Sequence, residues 1–158
     1  MRYLIYFGNI GTTKKVAETI KEKLNDFTLV DGTSRFKIQF NDNDTLVFGM
    51  NVRMKKINKK FIKFYKNLKK QNLKTNNFAY IVAADFSQRF NYIKQAADVL
   101  DDNLGIVFVG GELDPTNAKG LSKMVIESCI EQLKSRDLEL PKILDNYVDE
   151  LIEKIAEV

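Results

Sequence analysis

Residues 2–13 read RYLIYFGNIGTT, and this stretch decides the fold of the chain. The strand-like run 2–7 leads into the turn 8–13, which carries two glycines and two threonines, and residues 14–24 then show helical spacing of apolar positions. A strand, a glycine-bearing turn and a helix bring unpaired backbone N–H groups and the positive end of a helix dipole to one point. The stretch therefore predicts a βα unit whose turn binds an anion, and a phosphate-bearing cofactor is the first hypothesis.

The rest of the chain repeats this alternation. Further strands are predicted near residues 27–30, 45–50, 78–84 and 105–111, and helices near 57–68, 90–100, 118–135 and 143–157, with a short extended piece at 36–38. The central strands are apolar throughout, which is typical of a parallel sheet covered by helices on both faces. We predict one α/β domain, residues 1–158, with five parallel strands. Ligands of such sheets bind beyond the carboxyl ends of the strands, where the loops 8–13, 50–56 and 85–90 meet.

Composition excludes several classes of function. Of the 158 residues, none is His and only one is Cys, so a Ser-His-Asp triad, a Cys-His pair, His-ligated metals, an internal disulfide, paired redox cysteines and multi-Cys metal sites are excluded. We expect no metal and no catalytic side chain, and any redox chemistry would belong to a bound organic cofactor. Neither a signal peptide nor a membrane span is predicted, and the lone Cys129 favours the cytoplasm. Its spacing from Leu121 and Val125 predicts a buried helix stripe and a core thiol.

A basic segment follows the third strand. Residues 53–74 hold ten basic and no acidic residues in a chain of net charge +4: Arg53, Lys55, Lys56, Lys59, Lys60, Lys63, Lys66, Lys69, Lys70 and Lys74. The helical spacing places these charges on a solvent-facing surface. That surface is either an inert solvated face or a docking surface for an acidic substrate, an acidic partner or anionic lipid. Nucleic acid is not expected, because the aromatic residues of this helix are needed in the core.

With these residues in view, the chain resembles the flavodoxins over nearly its whole length. The family's phosphate loop, Ser/Thr-x-Thr-Gly-x-Thr, aligns with residues 8–13, and the motifs at 48–55 and 110–114 are similar to the branch of flavodoxin-type protoporphyrinogen oxidases. Members of that branch often read Gly-x-x-Ile-Arg-x-Gly-Lys after the third strand. The resemblance implies a three-layer sandwich of strand order 2-1-3-4-5, the cofactor FMN, and a role as oxidoreductase or electron-transfer protein with an unidentified redox partner.

The resemblance also implies which residues hold the cofactor. Gly8 and Ile10 stand where the family has hydroxyl side chains, and no Trp is present to cover the flavin, so Phe86, Phe90, Tyr92, Met50 or Met54 would take that place. Backbone N–H groups of the 85–90 loop and Arg53 would stabilise the reduced flavin. The expected cofactor-binding residues are Gly8, Asn9, Ile10, Gly11, Thr12, Thr13, Met50, Asn51, Val52, Arg53, Met54, Ala84, Asp85, Phe86 and Phe90.

Two other hypotheses stay open. Asp31 closes the second strand twenty residues after Gly11, the position of a ribose-binding acid in NAD-binding folds, although residues 8–11 do not form the glycine fingerprint of those folds. The second hypothesis is a flavodoxin fold that has lost FMN and acts as an interaction module through the basic segment 53–74. For Asp85 and Asp114, helix capping is the simpler expectation.

Overall fold

Parallel strands form the centre of the protein, for which a computed structural model describes residues 1–8, 11–116 and 118–158. Strands and helices alternate along the chain as the sequence predicts. Their bounds are β1 Arg2–Phe7, α1 Thr12–Leu24, β2 Thr28–Asp31, β3 Thr45–Arg53, β4 Lys56–Ile57, α2 Lys59–Lys69, β5 Asn76–Val82, α3 Arg89–Val99, β6 Asn103–Phe108, α4 Gly120–Ser135 and α5 Asp145–Ala156. A short 3-10 turn, Phe86–Gln88, precedes α3.

The strand order of the sheet is β2-β1-β3-β5-β6, with every neighbouring pair parallel. Counting these five strands alone, this is the predicted order 2-1-3-4-5. The two-residue β4 lies off this path and pairs antiparallel with the end of β3. The order reverses at β1, because the chain moves from β1 to one edge and then returns to the other side. The carboxyl ends of β1 and β3 therefore flank the switch point at which such sheets bind ligands.

Apolar side chains cover the sheet on both faces. On one face, Phe48 and Ile81 pack with Phe61 and Tyr65 of α2 and with residues of α3. The opposite face, which includes Leu4, is covered by residues of α1 and α5. The strands are buried on two sides, which is why their apolar residues run continuously instead of alternating with polar ones.

Two predictions about local structure are wrong. The segment predicted as the loop 50–56 is mostly strand, because β3 runs on to Arg53 and folds back through a hairpin into β4. The apolar stripe predicted for α4 is not buried: Leu121 and Val125 are exposed at 75% and 54%, and Cys129 is only half-buried. The inward residues of α4 lie one position further on, beginning with Ile126, so the stripe was placed in the wrong phase.

No helix in the described part of the chain is long and apolar enough to span a membrane. Among the same residues, no cluster of His, Cys, Asp and Glu side chains is arranged to hold a metal ion.

Candidate functional site

A small cavity lies at the carboxyl edge of the sheet, beside the switch point. Its volume is about 170 Å³. It is lined by residues of α1, β3, β5 and α4 and by the segments that follow β5 and β6. Of the residues predicted to bind the cofactor, the structure brings five to this cavity: Thr12, Thr13, Asn51, Val52 and Ala84. Sequence reasoning missed its remaining lining residues, which include Gly111, Glu112, Leu113 and Ile126. The pair Gly110-Gly111 directly after a strand was the available signal.

The first turn of α1 forms one wall of the cavity. Gly11 stands at the N-cap with φ of 83°, a left-handed conformation that glycine adopts without strain, and no side chain caps the helix. No acidic residue lies in this first turn, and the backbone N–H groups that open a helix have no acceptor within it. The hydroxyl-bearing Thr12 and Thr13 complete a donor set suited to an anion. The predicted loop residues Asn9 and Ile10 lie outside the described residues.

Tyr80 fixes the position of this turn. Its hydroxyl donates a hydrogen bond of 2.7 Å from β5 to the Thr13 carbonyl oxygen in α1, and the side chain is fully buried. Burial raises the pKa of Tyr80 well above its usual value, so the hydroxyl stays protonated and donates. The ring lies against Gly49, its partner in the β3–β5 register, where any Cβ would overlap the end of the ring. Gly49 therefore allows the contact that holds the first turn of α1.

Gly8 is needed for a similar reason. A Cβ at this position would overlap the side chain of Thr13, which is itself 2% exposed. Gly8 thus lets the end of β1 pack directly on the threonine, instead of supplying the hydroxyl group that flavodoxins have there. A serine or threonine at position 8 would not fit against Thr13, and this is why the chain lacks a hydroxyl group there.

A β-hairpin forms the second side of the site. Met54 and Lys55 stand at its tip with φ of 50° and 59°, as in a type I′ turn. Gln95 of α3 holds the hairpin, because its side chain donates to the Lys55 carbonyl oxygen at 2.9 Å and accepts from the Ile57 N–H at 3.1 Å. This contact places the hairpin beside α3, which begins at the loop 85–90.

Asn51 is fixed at the base of the hairpin. Its side-chain oxygen accepts a 2.7 Å hydrogen bond from Asn58, and the Asn58 side chain also caps α2. Met50 does not reach the cavity, because its side chain is fully buried in the core. Arg53 and Met54 lie on the hairpin and are exposed, Met54 at 88%.

The left-handed tip of the hairpin makes a departure from the resembled motif unfavourable. Where that branch has glycine in Arg-x-Gly-Lys, this chain has Lys55 in a conformation that side chains disfavour. Lys55→Gly should therefore raise the free energy of unfolding by about 1 kcal/mol. In the matched control Lys56→Gly, glycine enters a strand and should lower that free energy. Urea denaturation of both variants measures the difference, and equal effects would contradict strain at residue 55.

An exposed aromatic cluster forms the third side. The Arg89 guanidinium lies 4.1 Å from the centre of the Phe86 ring and 4.4 Å from that of Phe90. Both rings are exposed, Phe86 at 44% and Phe90 at 69%. Sequence reasoning named the two rings but missed Arg89, although an arginine three residues after one aromatic and next to another was a usable signal. Tyr92, in contrast, is a core residue stacked on Phe108 and cannot cover a ligand.

Phe86 also lines a neighbouring cavity of about 400 Å³. The two cavities share Ala83, Ala84 and Gly111, so they meet along the backbone at the ends of β5 and β6. Gly111 approaches this backbone closely, because a Cβ there would lie 2.8 Å from the Ala83 carbonyl carbon.

The acidic residues near the site serve local structure. Asp85 accepts hydrogen bonds from the N–H and the hydroxyl of Ser87 and so caps the 3-10 turn, as expected. Asp114 caps a turn instead of a helix, and its hydrogen bonds with Thr116 lower its pKa. Glu112 at the cavity pairs with Lys15 at 3.0 Å, which offsets its negative charge.

The Asp31 carboxylate also forms local hydrogen bonds. Its carboxylate accepts a 2.9 Å hydrogen bond from the Thr33 N–H and a 2.6 Å one from the Thr33 hydroxyl. A ribose-binding acid needs its oxygens for the ligand, so this arrangement gives no support to a dinucleotide site.

The comparisons with known proteins agree with this geometry. Residues 3–138 match the family described as Flavodoxin domain. The chain belongs to this family. No curated protein matches it. Among solved structures, a flavoprotein in complex with FMN from Lactobacillus acidophilus superposes with a TM-score of 0.57 at 16% identity, covering 68% of this chain and 91% of that one.

Two further solved structures are similar at lower scores. A flavo di-iron protein from Thermotoga maritima has a TM-score of 0.49 at 17% identity, covering 85% of this chain and 35% of that one. The two-electron reduced flavodoxin of Megasphaera elsdenii has a TM-score of 0.48 at 15% identity, covering 83% of this chain and 99% of that one.

Proposed function

We propose that this flavodoxin-domain protein binds FMN at the carboxyl ends of β1, β3 and β5 and transfers electrons through it. One observation carries the proposal: the uncapped, acid-free first turn of α1 opens on a cavity at the switch point of the sheet. FMN, when bound, accepts and releases electrons one or two at a time. The chain supplies the groups that bind it, orient it and adjust its reduction potential.

The donor set suits the phosphate of FMN. Backbone N–H groups of the first turn, with the hydroxyls of Thr12 and Thr13, would hold the phosphate, as the Ser/Thr-rich loop does in the resembled family. The hairpin and the cluster of Phe86, Arg89 and Phe90 would flank the flavin ring. At about 170 Å³ the cavity is smaller than typical cofactor sites, so binding requires the cavity to widen, and α4, which lines it through Ile126, is the element we expect to move. Because α4 has no buried residue, this movement breaks little packing.

Thr13→Val should weaken FMN binding about tenfold, because the substitution keeps the shape of the side chain and removes a hydroxyl that bonds a charged group. Thr19→Val is the matched control, since Thr19 lies on the same helix but does not line the cavity, and its hydroxyl donates to the Lys15 carbonyl oxygen. Fluorescence titration with FMN gives both dissociation constants. An unchanged constant for Thr13→Val would mean that backbone groups alone hold the phosphate.

The electron-transfer role is tested by the reduction potential of bound FMN. Arg53, Lys55 and Lys56 are exposed on the hairpin, with no acidic partner within 4.0 Å among the described residues. Positive charge beside the ring stabilises the reduced, anionic flavin, so Arg53→Glu should lower the potential by tens of millivolts at low salt and by less at high salt. Potentiometric titration of the FMN-loaded protein measures this shift.

Lys70→Glu is the matched control for that shift. It makes the same charge change beyond the far end of α2, about 16 Å along the helix from its start, and screening should suppress its effect. Equal shifts for both variants, or none for Arg53→Glu, would place the hairpin away from the flavin. FMN that cannot be reduced reversibly on the protein would contradict electron transfer.

A second function is favoured by the exposure of the basic segment. All ten basic residues of 53–74 are exposed, and in the described part of the chain only Lys69 forms an ion pair, with Asp101. This surface fits an interaction module that docks an acidic partner without FMN. Absence of FMN binding, together with salt-dependent binding of an acidic protein, would favour that function.

A further inference from the structure

A second concavity lies away from the candidate site, between α2 and the segment 34–40. We call it the basic groove. Its volume is about 920 Å³, and residues from both sides of it, such as Phe36 and Phe64, line it. It shares no lining residue with the cavity beside α1. Its use therefore does not depend on the cofactor.

The floor of the basic groove is apolar. The Phe36 and Phe64 rings lie 5.6 Å apart, and Phe64 also meets Phe40 edge-on at 6.2 Å. Phe36, Ile38 and Phe64 are only partly buried, so the groove leaves apolar surface open to a ligand. Such a floor accepts apolar side chains.

The rim of the basic groove is positively charged. Arg35 and Lys37 lie on one side and Lys63 of α2 on the other, and all three are exposed. None of them lies within 4.0 Å of a carboxylate among the described residues, and no acidic residue of this part of the chain lines the groove. The charge is therefore available to an acidic partner.

The segment beside α2 has the burial alternation of a β-strand but no strand partner among the described residues. Phe36, Ile38 and Phe40 face inward, while Arg35, Lys37 and Gln39 are exposed, which is the alternation of a β-strand. Among the described residues, no backbone N–H or C=O group from 35 to 40 forms a hydrogen bond. Six residues of a β-strand span about 20 Å. Extended backbone with unpaired groups is a template for the addition of another strand.

We propose that the basic groove binds an extended peptide segment of a partner protein, in which acidic and apolar residues alternate. The backbone of the peptide would pair with residues 35–40, as in other cases of strand addition. Its apolar side chains would rest on Phe36 and Phe64, and its carboxylates would lie beside Arg35, Lys37 and Lys63. The apolar floor and the basic rim together favour a peptide with alternating apolar and acidic residues.

A library of twelve-residue peptides displayed on phage tests the proposal. Selection on the full chain should enrich sequences in which Asp or Glu alternates with apolar residues. The double variant Arg35→Glu/Lys63→Glu should not retain them. Enrichment of no sequence, or of sequences that the double variant binds equally well, would overturn the proposal.

A synthetic peptide from that selection then gives the affinity and the binding mode. The double variant should bind it at least about tenfold more weakly, because two exposed attractions become repulsions. Lys66→Glu, on the same helix but outside the groove lining, should bind it within about twofold. Hydrogen exchange by NMR should show protection of alternate amides within 35–40 when the peptide binds. Uniform or absent protection would overturn strand addition.

Vesicles containing anionic phospholipid separate this proposal from membrane docking. Wild-type and double-variant protein should both bind them weakly, with no change at residues 35–40. Strong vesicle binding that the double variant loses, without peptide binding, would overturn the proposal and assign the groove to a lipid surface.

Discussion

Gly49→Ala is expected to lower the free energy of unfolding by about 3 kcal/mol. The new methyl group would overlap the end of the Tyr80 ring, which is fully buried. Overpacking of this kind costs about 1–3 kcal/mol. Displacing the ring also breaks the hydrogen bond from the Tyr80 hydroxyl to the Thr13 carbonyl oxygen, which adds about 1 kcal/mol or more.

Gly105→Ala is the matched control for this substitution. Gly105 lies in a strand of the same sheet, but a Cβ there would lie 3.2 Å from Cδ of Lys154, a flexible and exposed side chain. Its cost should stay below about 1 kcal/mol. Urea denaturation of the two variants measures the contrast. Equal stability losses would contradict our claim that the absence of a side chain at Gly49 makes room for the Tyr80 ring.

Gly49→Ala should also affect ligand binding at the candidate site. Tyr80 ties β5 to the first turn of α1, so its displacement frees the turn that we propose holds the phosphate of FMN. Gly49→Ala protein that remains folded should therefore bind FMN more weakly, whereas Gly105→Ala protein should bind it unchanged. This links a glycine of the third strand to a ligand site built on the first.

The sheet and the βα unit at its centre could be predicted because both rest on local patterns. Continuous apolar runs predicted the parallel strands, and the stretch 2–24 predicted the βα unit in which α1 begins after Gly11. The exposure of the basic segment followed from its helical spacing. These features depend on residues close in sequence, which a single chain displays directly.

The hairpin after β3 could not be predicted in the same way. Two-residue hairpin turns are recognised by Asn-Gly or similar pairs, and here Met54 and Lys55 form the turn instead. The register of α4 was misjudged because its apolar residues occupy more than one face, so spacing alone did not indicate which face is inward. The contact of Tyr80 with Gly49 and Thr13 joins three distant parts of the chain, and no local sequence pattern predicts it.

A comparison of FMN with riboflavin tests the central claim most directly. The two molecules share the flavin ring, and riboflavin lacks the phosphate that we assign to the first turn of α1. Flavin fluorescence during titration of the purified chain gives both dissociation constants under identical conditions. Two charge-assisted hydrogen bonds contribute about 3 kcal/mol, so FMN should bind one per chain and about a hundredfold more tightly than riboflavin. Equal affinity for the two flavins, or no saturable binding of FMN, would contradict the account.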